Sequence, residues 1–600
     1  MADALHPGGR VLRGLPGLAF GLVLVAGLTA LPVEQAAADE SPDTSITTLK
    51  ATSTPKAPKL ETQRDSGPMD RRAAGNNRVV AELGQQSTDD FSSVGVTWSG
   101  DSTGTAPDIQ VRTKDDSGEW SDWETITDGQ PIGTEDGRLA TDPIFVGDAT
   151  GLEMRAVGDE STELKDVEVA LVKSPEVSSD ADPEKLAATA GSDLAPRPSI
   201  ITRKGWGADE SLRCNDDKMG TTIKGVVVHH TAGSNSYSKS QSASIIRDIY
   251  AYHTKTLGWC DIGYNFLIDK YGQIFEGRWG GIDMPIHGSH ATDWNTNTMG
   301  VSFMGNYDTA APPSVMLNAG ADLIAWKLDA FQREAKGKVK LAGKVVNIIF
   351  GHGDVMATAC PGANIRSKMG NLRDKVENRM GARGPIGKAW DKRGGEKTFG
   401  HPHVAEKVIG GGRAAGFLRS NKPKTLYWHP YTDDHETKGP IDALYTDLGG
   451  PTSGLGWPRS DVHDVKNGRG QGFSHGAIYR SGRTPARAVH GPIYTYYRAI
   501  GGPGGDLMLP TTNVKAGVIS KSQWSKFEGG MILYHPKVGA HVLKDDIAKR
   551  YYKLSKSQQE RLGVLKKDEY DTSGGRKALF QRGKIVWNAT NGKVSVTFED

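Results

Sequence analysis

The chain of 600 residues is long enough for about four domains of ordinary size, and 37% of its residues are hydrophobic, as expected for globular cores. It has 73 Lys and Arg residues against 71 Asp and Glu residues, a formal net charge of +2. This balance argues against nucleic acid as a partner and against a protein that coats an anionic membrane, because both need a concentrated basic surface.

The first 38 residues have the features of a signal peptide. Arg10 and Arg13 precede an apolar run, and the sequence "QAAAD" provides small residues for cleavage after Ala38. We therefore expect residues 1–38 to be removed and the mature chain to be secreted, with an uncleaved amino-terminal anchor as the alternative. No later stretch is apolar enough over sufficient length to suggest a transmembrane segment in the mature chain.

Residues 39–88 are rich in Ser, Thr, Pro, Asp and Lys, which predicts a disordered linker. Residues 89–173 contain short runs of alternating polar and apolar residues separated by Gly and Asp, which predicts a β-sandwich domain. Three tryptophans of this region provide either a face for stacking on carbohydrate or part of the core, the commoner case. They are Trp98, Trp120 and Trp123. A second polar linker is predicted over 174–198.

Residues 199–385 combine strand and helix patterns. The runs "GVVVHH" and "VNIIFGH" are almost continuously apolar, as in strands covered on both faces of a sheet. The segments between the strands repeat apolar residues at helical spacing. The pattern predicts a central α/β domain with a mixed β-sheet flanked by helices.

Three cysteines are present, and a secreted protein with an odd count combines a disulfide with one cysteine of another kind. Cys214 and Cys260 lie close in sequence to the same candidate catalytic segments, whereas Cys360 lies in a different context. We predict a disulfide between Cys214 and Cys260.

Candidate metal ligands follow two of the predicted strands. His229 and His230 end one strand and His352 follows another, and because successive strand residues face opposite sides, only one of the first pair can be a ligand. We choose His229. Cys360 precedes Pro361 and a predicted helix, whose amino terminus favours the thiolate. Two imidazoles and a thiolate suit a catalytic zinc ion, while a Cys–His nucleophilic pair or simple core positions are the alternatives.

Four stretches at these positions resemble the zinc-dependent N-acetylmuramoyl-L-alanine amidases of the peptidoglycan recognition protein and phage-lysozyme-like group. They are "VVVHHTAG" (226–233), "GWCDIGYNFLIDKYGQIFEGR" (258–278), "NTMGVSFMGNY" (297–307) and "GHGDVMATACPG" (351–362). The resemblance implies an amidase domain over 199–385. The sequence departs from the family at Gly353, where the family usually has an Arg. Any substrate or structural contact that this Arg makes in the family is therefore not expected in this chain.

The resemblance also implies roles for individual residues. Zn2+ is the implied cofactor, bound by His229, His352 and Cys360. Tyr264 would lie beside the catalytic water, and Thr358 would lie near the developing oxyanion; these are the implied catalytic residues.

Four further residues are candidates for lining the substrate groove, although a structural role for each is an equal alternative. They are Asn265, Arg278, His287 and His290. The general base is left unassigned. Glu276 and Asp354 are expected to be structural, and His253 is expected to cap or pack a helix.

The last third of the chain, residues 386–600, repeats the landmarks "TFGHP", "GLGWP", "DLMLP" and "RLGVL" at intervals of about 52 to 56 residues. These resemble four LGFP repeats, which implies attachment to the cell envelope. We expect a β-rich repeat array, such as a propeller.

Two functions from different classes remain. The first is a secreted, cell-wall-associated amidase that acts as a monomer and hydrolyses the amide bond between the lactyl group of muramic acid and L-alanine in peptidoglycan. The alternative is a non-catalytic protein that recognises or anchors to peptidoglycan. The presence of Cys360 and Tyr264 favours catalysis.

Overall fold

The computed structural model describes residues 42–53, 78–99, 107–126, 131–159, 161–189, 194–214, 219–380 and 383–599. The expected signal peptide over 1–38 lies outside these ranges. Within them, none of the helices combines the length and the apolar character needed to cross a bilayer.

The amino-terminal region is a nine-stranded antiparallel sheet that surrounds its own apolar core, which confirms the predicted β-sandwich. The long strand β3 pairs along its first part with β8 and along its last part with β9, with β-bulges at the irregularities. The strands are β1 (Ser45–Lys50), β2 (Thr52–Ser53), β3 (Arg78–Ser99), β4 (Asp108–Lys114), β5 (Glu124–Thr125), β6 (Ile132–Gly133), β7 (Leu139–Ala140), β8 (Ile144–Gly158) and β9 (Lys165–Lys173).

The predicted linker over 39–88 is wrong for the residues that form β1, β2 and the first half of β3. Strand β1 pairs along its whole length with β9. Its sequence, "SITTLK", is polar because most of its side chains are exposed or half-buried. The composition of a 50-residue window therefore hid a short edge strand, which needs few apolar residues.

The tryptophans of this region do not form a shared carbohydrate-stacking face. Trp98 is 2% exposed and belongs to the core. Trp120 and Trp123 are half-buried, and the guanidinium of Arg112 lies over both rings, 5.2 and 5.1 Å from their centroids. Arg155 lies 4.3 Å from the Trp123 ring centroid. Each of these two rings therefore already has a cation of the same domain over it.

The central region is a seven-stranded mixed sheet in the order β10-β11-β14-β13-β15-β12-β18, as the predicted α/β class requires. Helix α1 packs on one face, and α2 and α4 pack on the other. The elements are β10 (Lys185–Leu186), β11 (Ile200–Ile201), β12 (Gly225–His230), α1 (Gln241–Ala251), β13 (Phe266–Ile268), β14 (Ile274–Glu276), β15 (Thr298–Phe303), α2 (Ser314–Ala330), β16 (Lys338–Leu341), β17 (Lys344–Asn347), β18 (Ile349–Gly351), α3 (Ala363–Ser367) and α4 (Met369–Arg379).

The predicted linker over 174–198 is wrong where the chain packs on the central domain. Strand β10 adds to the edge of the sheet. Asp180 is buried and pairs with buried Arg247 of α1, with 2.7 Å between Oδ2 and Nη2. The segment is polar because its main contribution to the packing is a buried ion pair, which composition alone does not distinguish from a solvated linker.

The carboxy-terminal region confirms the β-rich repeat array, with four antiparallel sheets of four strands each. Two short helices, α5 (Pro385–Lys392) and α6 (Gly395–Thr398), precede it. The other elements are β19 (His401–Ile409), β20 (Gly412–Arg419), β21 (Lys422–His429), β22 (Asp433–Lys438), α7 (Gly439–Asp447), β23 (His463–Val465), β24 (Gly468–Gly472), β25 (Gly476–Arg480), β26 (Arg487–His490), α8 (Gly491–Ala499), β27 (Lys515–Ala516), β28 (Gln523–Phe527), β29 (Gly530–His535), β30 (Gly539–Lys544), α9 (Asp545–Tyr552), α10 (Lys556–Leu562), β31 (Tyr570–Thr572), β32 (Gly575–Phe580), β33 (Gly583–Asn588) and β34 (Val594–Phe598).

The expected propeller packing is not observed, because a helix lies between consecutive sheets. Ile441 and Tyr445 of α7 share one apolar cluster with Tyr427 of the first sheet and Ile478 of the second. Helices α8 and α9 bridge the following pairs of sheets in the same way. Blades of a propeller pack sheet against sheet, whereas here each inter-sheet core is built around a helix.

Candidate active site

Strand order brings the two histidines together. Strand β12 pairs in parallel with β18, with Val228 opposite Gly351, so both strands end at the same edge of the sheet. His229 lies at the end of β12, and His352 directly follows β18. Functional groups of such sheets commonly lie at this edge.

The loop after His352 returns Cys360 to the same place. The Gly353 N–H donates to the Cys360 carbonyl at 2.7 Å, which closes the loop. The His230 N–H points at the Cys360 sulfur, with 3.4 Å between N and Sγ. A backbone donor at this distance favours the thiolate over the thiol.

The three predicted ligands form a compact cluster. One ligand atom each from His229, His352 and Cys360 lies within 4.8 Å of the others. Cys360 Sγ is 3.6 Å from His229 Nδ1, and the two imidazole centroids are 4.5 Å apart. The neighbouring His230 faces away and receives the Tyr307 N–H at its Nδ1, at 3.4 Å. The structure thus brings together the three predicted ligands, and His230 is not part of the cluster.

His290 lies directly behind His229, an arrangement that sequence reasoning missed. His290 Nδ1 is 3.1 Å from His229 Nε2, so His229 turns its other nitrogen, Nδ1, toward Cys360. Gly288 and Gly300 lie against the His290 ring, where a Cβ on either would overlap it. His290 also lines the cavity, as its predicted place in the substrate groove requires, but nothing in its spacing reveals a contact with a strand sixty residues earlier.

Burial sets the charge of this histidine pair. Desolvation lowers the pKa of both His229 and His290 well below the ordinary value, and the neighbouring imidazoles lower it further. Both rings are therefore neutral near pH 7. A neutral imidazole is the form that binds a metal.

Tyr264 and Thr358 flank the cluster. Tyr264 is buried, and its ring centroid lies 5.4 Å from that of His229. The Thr358 hydroxyl accepts the Cys360 N–H at 3.1 Å, which leaves its proton as a donor. Both side chains line the same cavity as the cluster.

The cluster opens into a cavity of about 560 Å³, a size suited to a small ligand. Arg278 lies in its wall and donates from Nη1 to the Ser289 hydroxyl at 2.9 Å. His287 also lines it, and its Nε2 is 3.4 Å from the Thr296 hydroxyl near the surface. These two predicted substrate-binding residues remain candidates for that role.

Asn265 is not among the described residues that line this cavity, and its contacts fit the structural role that was the alternative for it. Its side-chain nitrogen donates to the Ile286 carbonyl at 3.0 Å, and its side-chain oxygen accepts the Gly300 N–H at 2.8 Å. Its amide group therefore joins the segment of Ile286 to strand β15. This strand carries Gly300, against which the His290 ring packs. The expected groove residue is a structural clamp.

Glu276 and Asp354 have the structural roles expected of them. Glu276 accepts the Arg203 N–H at 3.3 Å and lies outside the cavity, and burial raises its pKa. Asp354 accepts the Gly351 N–H at 2.9 Å, which caps the turn after β18. His253 packs at the end of α1 and accepts the Gly263 N–H at its Nδ1, at 3.1 Å.

The predicted disulfide joins Cys214 to Cys260 and lies beside the site. Cys260 lines the cavity four residues before Tyr264, so the bridge fixes the loop that leads to this tyrosine. By the chain-entropy estimate, a bridge of this span contributes about 4 kcal/mol to the free energy of unfolding.

These features define an α/β domain with a candidate metal centre of two histidines and one cysteine, between a β-sandwich and a repeat array. Residues 219–363 match the N-acetylmuramoyl-L-alanine amidase family. Residues 42–185 match the galactose-binding-like amino-terminal domain of Rv3811, and residues 455–505 and 507–557 match LGFP repeats.

Similar proteins carry the same central domain. Peptidoglycan-recognition protein SC2 of Drosophila melanogaster is 36% identical over 170 residues, which cover 28% of this chain and 82% of that protein. Peptidoglycan recognition protein 1 of Bos taurus is 36% identical over 166 residues, 27% of this chain and 78% of that protein. Among solved structures, Drosophila PGRP-LB matches with 26% identity over 28% of this chain and 91% of that chain, at a TM-score of 0.24.

The chain therefore belongs to the family of peptidoglycan recognition proteins and N-acetylmuramoyl-L-alanine amidases. Its central domain accounts for this membership, and the flanking regions add a galactose-binding-like domain and LGFP repeats.

Proposed function

We propose that the chain is a zinc-dependent N-acetylmuramoyl-L-alanine amidase that cleaves the bond between the lactyl group of muramic acid and L-alanine. The observation that carries this proposal is the convergence of His229, His352 and Cys360 beside Tyr264 in one cavity. A metal bound by these three residues would keep one coordination position open toward the cavity, which is where a substrate would enter.

The donor set fits zinc. A cysteine sulfur and two imidazole nitrogens are borderline to soft ligands, and three protein ligands leave a fourth position open, as in catalytic zinc sites. His352 Nε2 lies 3.1 Å from the Met356 sulfur, so we assign Nδ1 of both histidines to the metal. When bound, zinc lowers the pKa of water and polarises a carbonyl group.

The residues of the chain orient and stabilise the reacting groups. His290 holds the His229 ring through the contact between its Nδ1 and Nε2 of His229. The Tyr264 and Thr358 hydroxyls supply donors for the oxygen that becomes negative when the amide carbonyl is attacked. The Thr358 side chain is held in turn by the Cys360 N–H.

The alternative is a protein that binds peptidoglycan without cutting it, as the names of its relatives describe recognition. The presence of a complete cluster with Tyr264 supports catalysis over this alternative. To decide, the purified full-length protein is incubated with peptidoglycan, with and without a chelator, and with zinc restored. New L-alanine amino termini that depend on zinc identify the amidase; their absence, with binding retained, leaves the recognition function.

His290→Ala is expected to weaken zinc binding by roughly 10- to 100-fold, as loss of a group that orients a metal ligand does. His290→Asn is the conservative variant, because its side-chain oxygen can take the place of Nδ1 and accept from His229. Zinc affinity is measured by competition with a chromophoric chelator. We expect partial recovery in the Asn variant.

His287→Ala is the matched control, because His287 is a histidine of the same cavity whose Nε2 is directed to the Thr296 hydroxyl at 3.4 Å. Its zinc affinity should equal that of the unaltered protein. Equal weakening by both Ala variants, or none by His290→Ala, would remove His290 from the metal site.

We further propose that the protein is secreted and held at the cell envelope by its repeats. A tethered hydrolase sees an insoluble polymer at a raised local concentration without any new contact in its active site. The first repeat sheet packs on the central domain through Glu406, which accepts from Gln332 at 2.9 Å, so the later repeats are the ones available for attachment.

Removal of residues 506–600 is expected to lower sedimentation with host cell walls by roughly tenfold or more, because attachment points add their avidity. Hydrolysis of small soluble muropeptides should change little. Sedimentation, the rate of hydrolysis of soluble muropeptides and the melting temperature are measured on the same preparation. If the repeats only stabilise the catalytic domain, the rate on soluble muropeptides and the melting temperature would fall while sedimentation stays the same.

A further inference from the structure

The galactose-binding-like domain forms one wall of the active-site cavity. Eight of the residues from 131 to 144, around the hairpin of β6 and β7, line the cavity together with His229 and its neighbours. Ile132 and Ile144 make part of this wall apolar, and the acidic residues Glu135 and Asp142 also line it. The space open to substrate is therefore shaped by two domains.

This wall is fixed by a core that the two domains share. Ala140 and Val172 of the first domain pack in one cluster with Ala251, Tyr252 and Leu257 of the second. The Tyr252 hydroxyl donates to the carbonyl of Thr141 at 3.2 Å. Burial of this kind holds two domains in one arrangement, unlike the polar interfaces across which domains move.

Hydrogen bonds reinforce the shared core. Ser92 and Ser93 each donate from Oγ to Asp248 Oδ2 of α1 at 2.7 Å. At the hairpin itself, the Trp259 indole donates to the Gly133 carbonyl at 3.2 Å. The Glu135 N–H donates to the Leu257 carbonyl at 2.9 Å, so the carboxylate-bearing residue is positioned through its backbone.

The polar groups of the wall face a buried donor of the central domain. His253 is 1% exposed, and because its Nδ1 accepts the Gly263 N–H, its Nε2 carries the proton. His253 lines the cavity, and its Nε2 is buried without a hydrogen bond in the described structure, 3.5 Å from Asp142 Oδ1. A small shift of neighbouring groups would open this donor to an acceptor brought by a ligand beside the Asp142 carboxylate.

Charge in the cavity is divided between its two sides. Asp142, whose side chain is 47% exposed, and Glu135 are negative on the first-domain side, and Arg278 is positive on the other. A ligand that carries an ammonium group together with peptide carbonyls or carboxylates matches this arrangement. In a muramyl peptide, the side chain of the diamino acid supplies the ammonium group.

We propose that Asp142 and Glu135 form a specificity subsite for the side-chain ammonium of a diamino acid in the stem peptide, while a neighbouring peptide carbonyl accepts from His253. This inference rests on the proposed function, because it takes a muramyl peptide as the substrate. It assigns to the galactose-binding-like domain a part in substrate selection.

The test compares two soluble muropeptides, one with a free side-chain amine and one with that amine acetylated. Binding is measured by calorimetry on the full chain carrying Tyr264→Phe, to suppress turnover, with and without Asp142→Asn and Glu135→Gln. We expect a preference of about fivefold to tenfold for the free amine, as for a partly shielded ion pair. In the variant that combines both carboxylate substitutions, the ratio of the two dissociation constants should fall to about one.

Asp136→Asn is the matched control, because Asp136 lies in the same hairpin but does not line the cavity. Its ratio should be unchanged, and circular dichroism should show that all variants fold. An unchanged ratio in the double variant, or no initial preference, overturns the subsite. Preference lost in the double variant without any hydrolysis by the unaltered protein would sink the amidase and leave the subsite in place.

Discussion

Cys360→Ser is expected to abolish both stoichiometric zinc and amide hydrolysis, with the rate falling to that of the chelated protein. A serine hydroxyl is a poor replacement for a thiolate, and its pKa is far too high for the backbone donor at His230 to ionise it. The side chain is 4% exposed and nearly the same size as serine, so the fold should survive the change.

Zinc content by elemental analysis and turnover on muropeptides are measured on the same preparation. Normal zinc with no turnover would indicate the competing chemistry, a Cys–His nucleophilic pair, since a nucleophile is required for the reaction but not for metal binding. Under that chemistry a chelator would leave the unaltered protein active. Retained zinc and retained turnover would exclude Cys360 from the site altogether.

Tyr264→Phe should separate metal binding from catalysis. The phenylalanine ring fills the same buried space, so zinc should bind as before, but loss of the hydroxyl donor is expected to lower kcat by roughly 10²-fold or more. KM should change much less than kcat, because the donor acts on charge that develops only as the carbonyl is attacked.

Tyr271→Phe is the matched control for this variant. Tyr271 lies seven residues further along the same segment, is 39% exposed, and donates its hydroxyl to the Tyr237 carbonyl at 2.8 Å, away from the cavity. Its kcat should remain near that of the unaltered protein. An unchanged rate in Tyr264→Phe would remove this hydroxyl from the mechanism.

The cluster of two histidines and one cysteine could be predicted from the sequence because its geometry follows from local rules. The period of two along a strand allows only one of His229 and His230 to be a ligand, and two buried strands followed by histidines predict a shared edge. The same rules predicted the central α/β fold, since the apolar runs and helical periodicities are strong.

The features that escaped prediction depend on contacts between distant segments. His290 reaches His229 only because two glycines leave room for its ring. The side-chain oxygen of Asn265 is already engaged, because it accepts the Gly300 N–H. The packing of the first domain on the central domain depends on a few small residues. One is Gly95, where a Cβ would overlap the Tyr252 ring. No periodicity or composition encodes such pairings.

The helices between consecutive sheets of the repeat array determine how it bears mechanical load. Ile441 and Tyr445 of α7 belong to a core with both adjoining sheets, and α8 and α9 repeat the pattern. Pulling one sheet away exposes the apolar surface of its neighbour, so nearest-neighbour coupling opposes the loss of any internal repeat. Opening of the described repeats under load is therefore expected to be cooperative between neighbours, since each shared core must be broken before one sheet separates from the next.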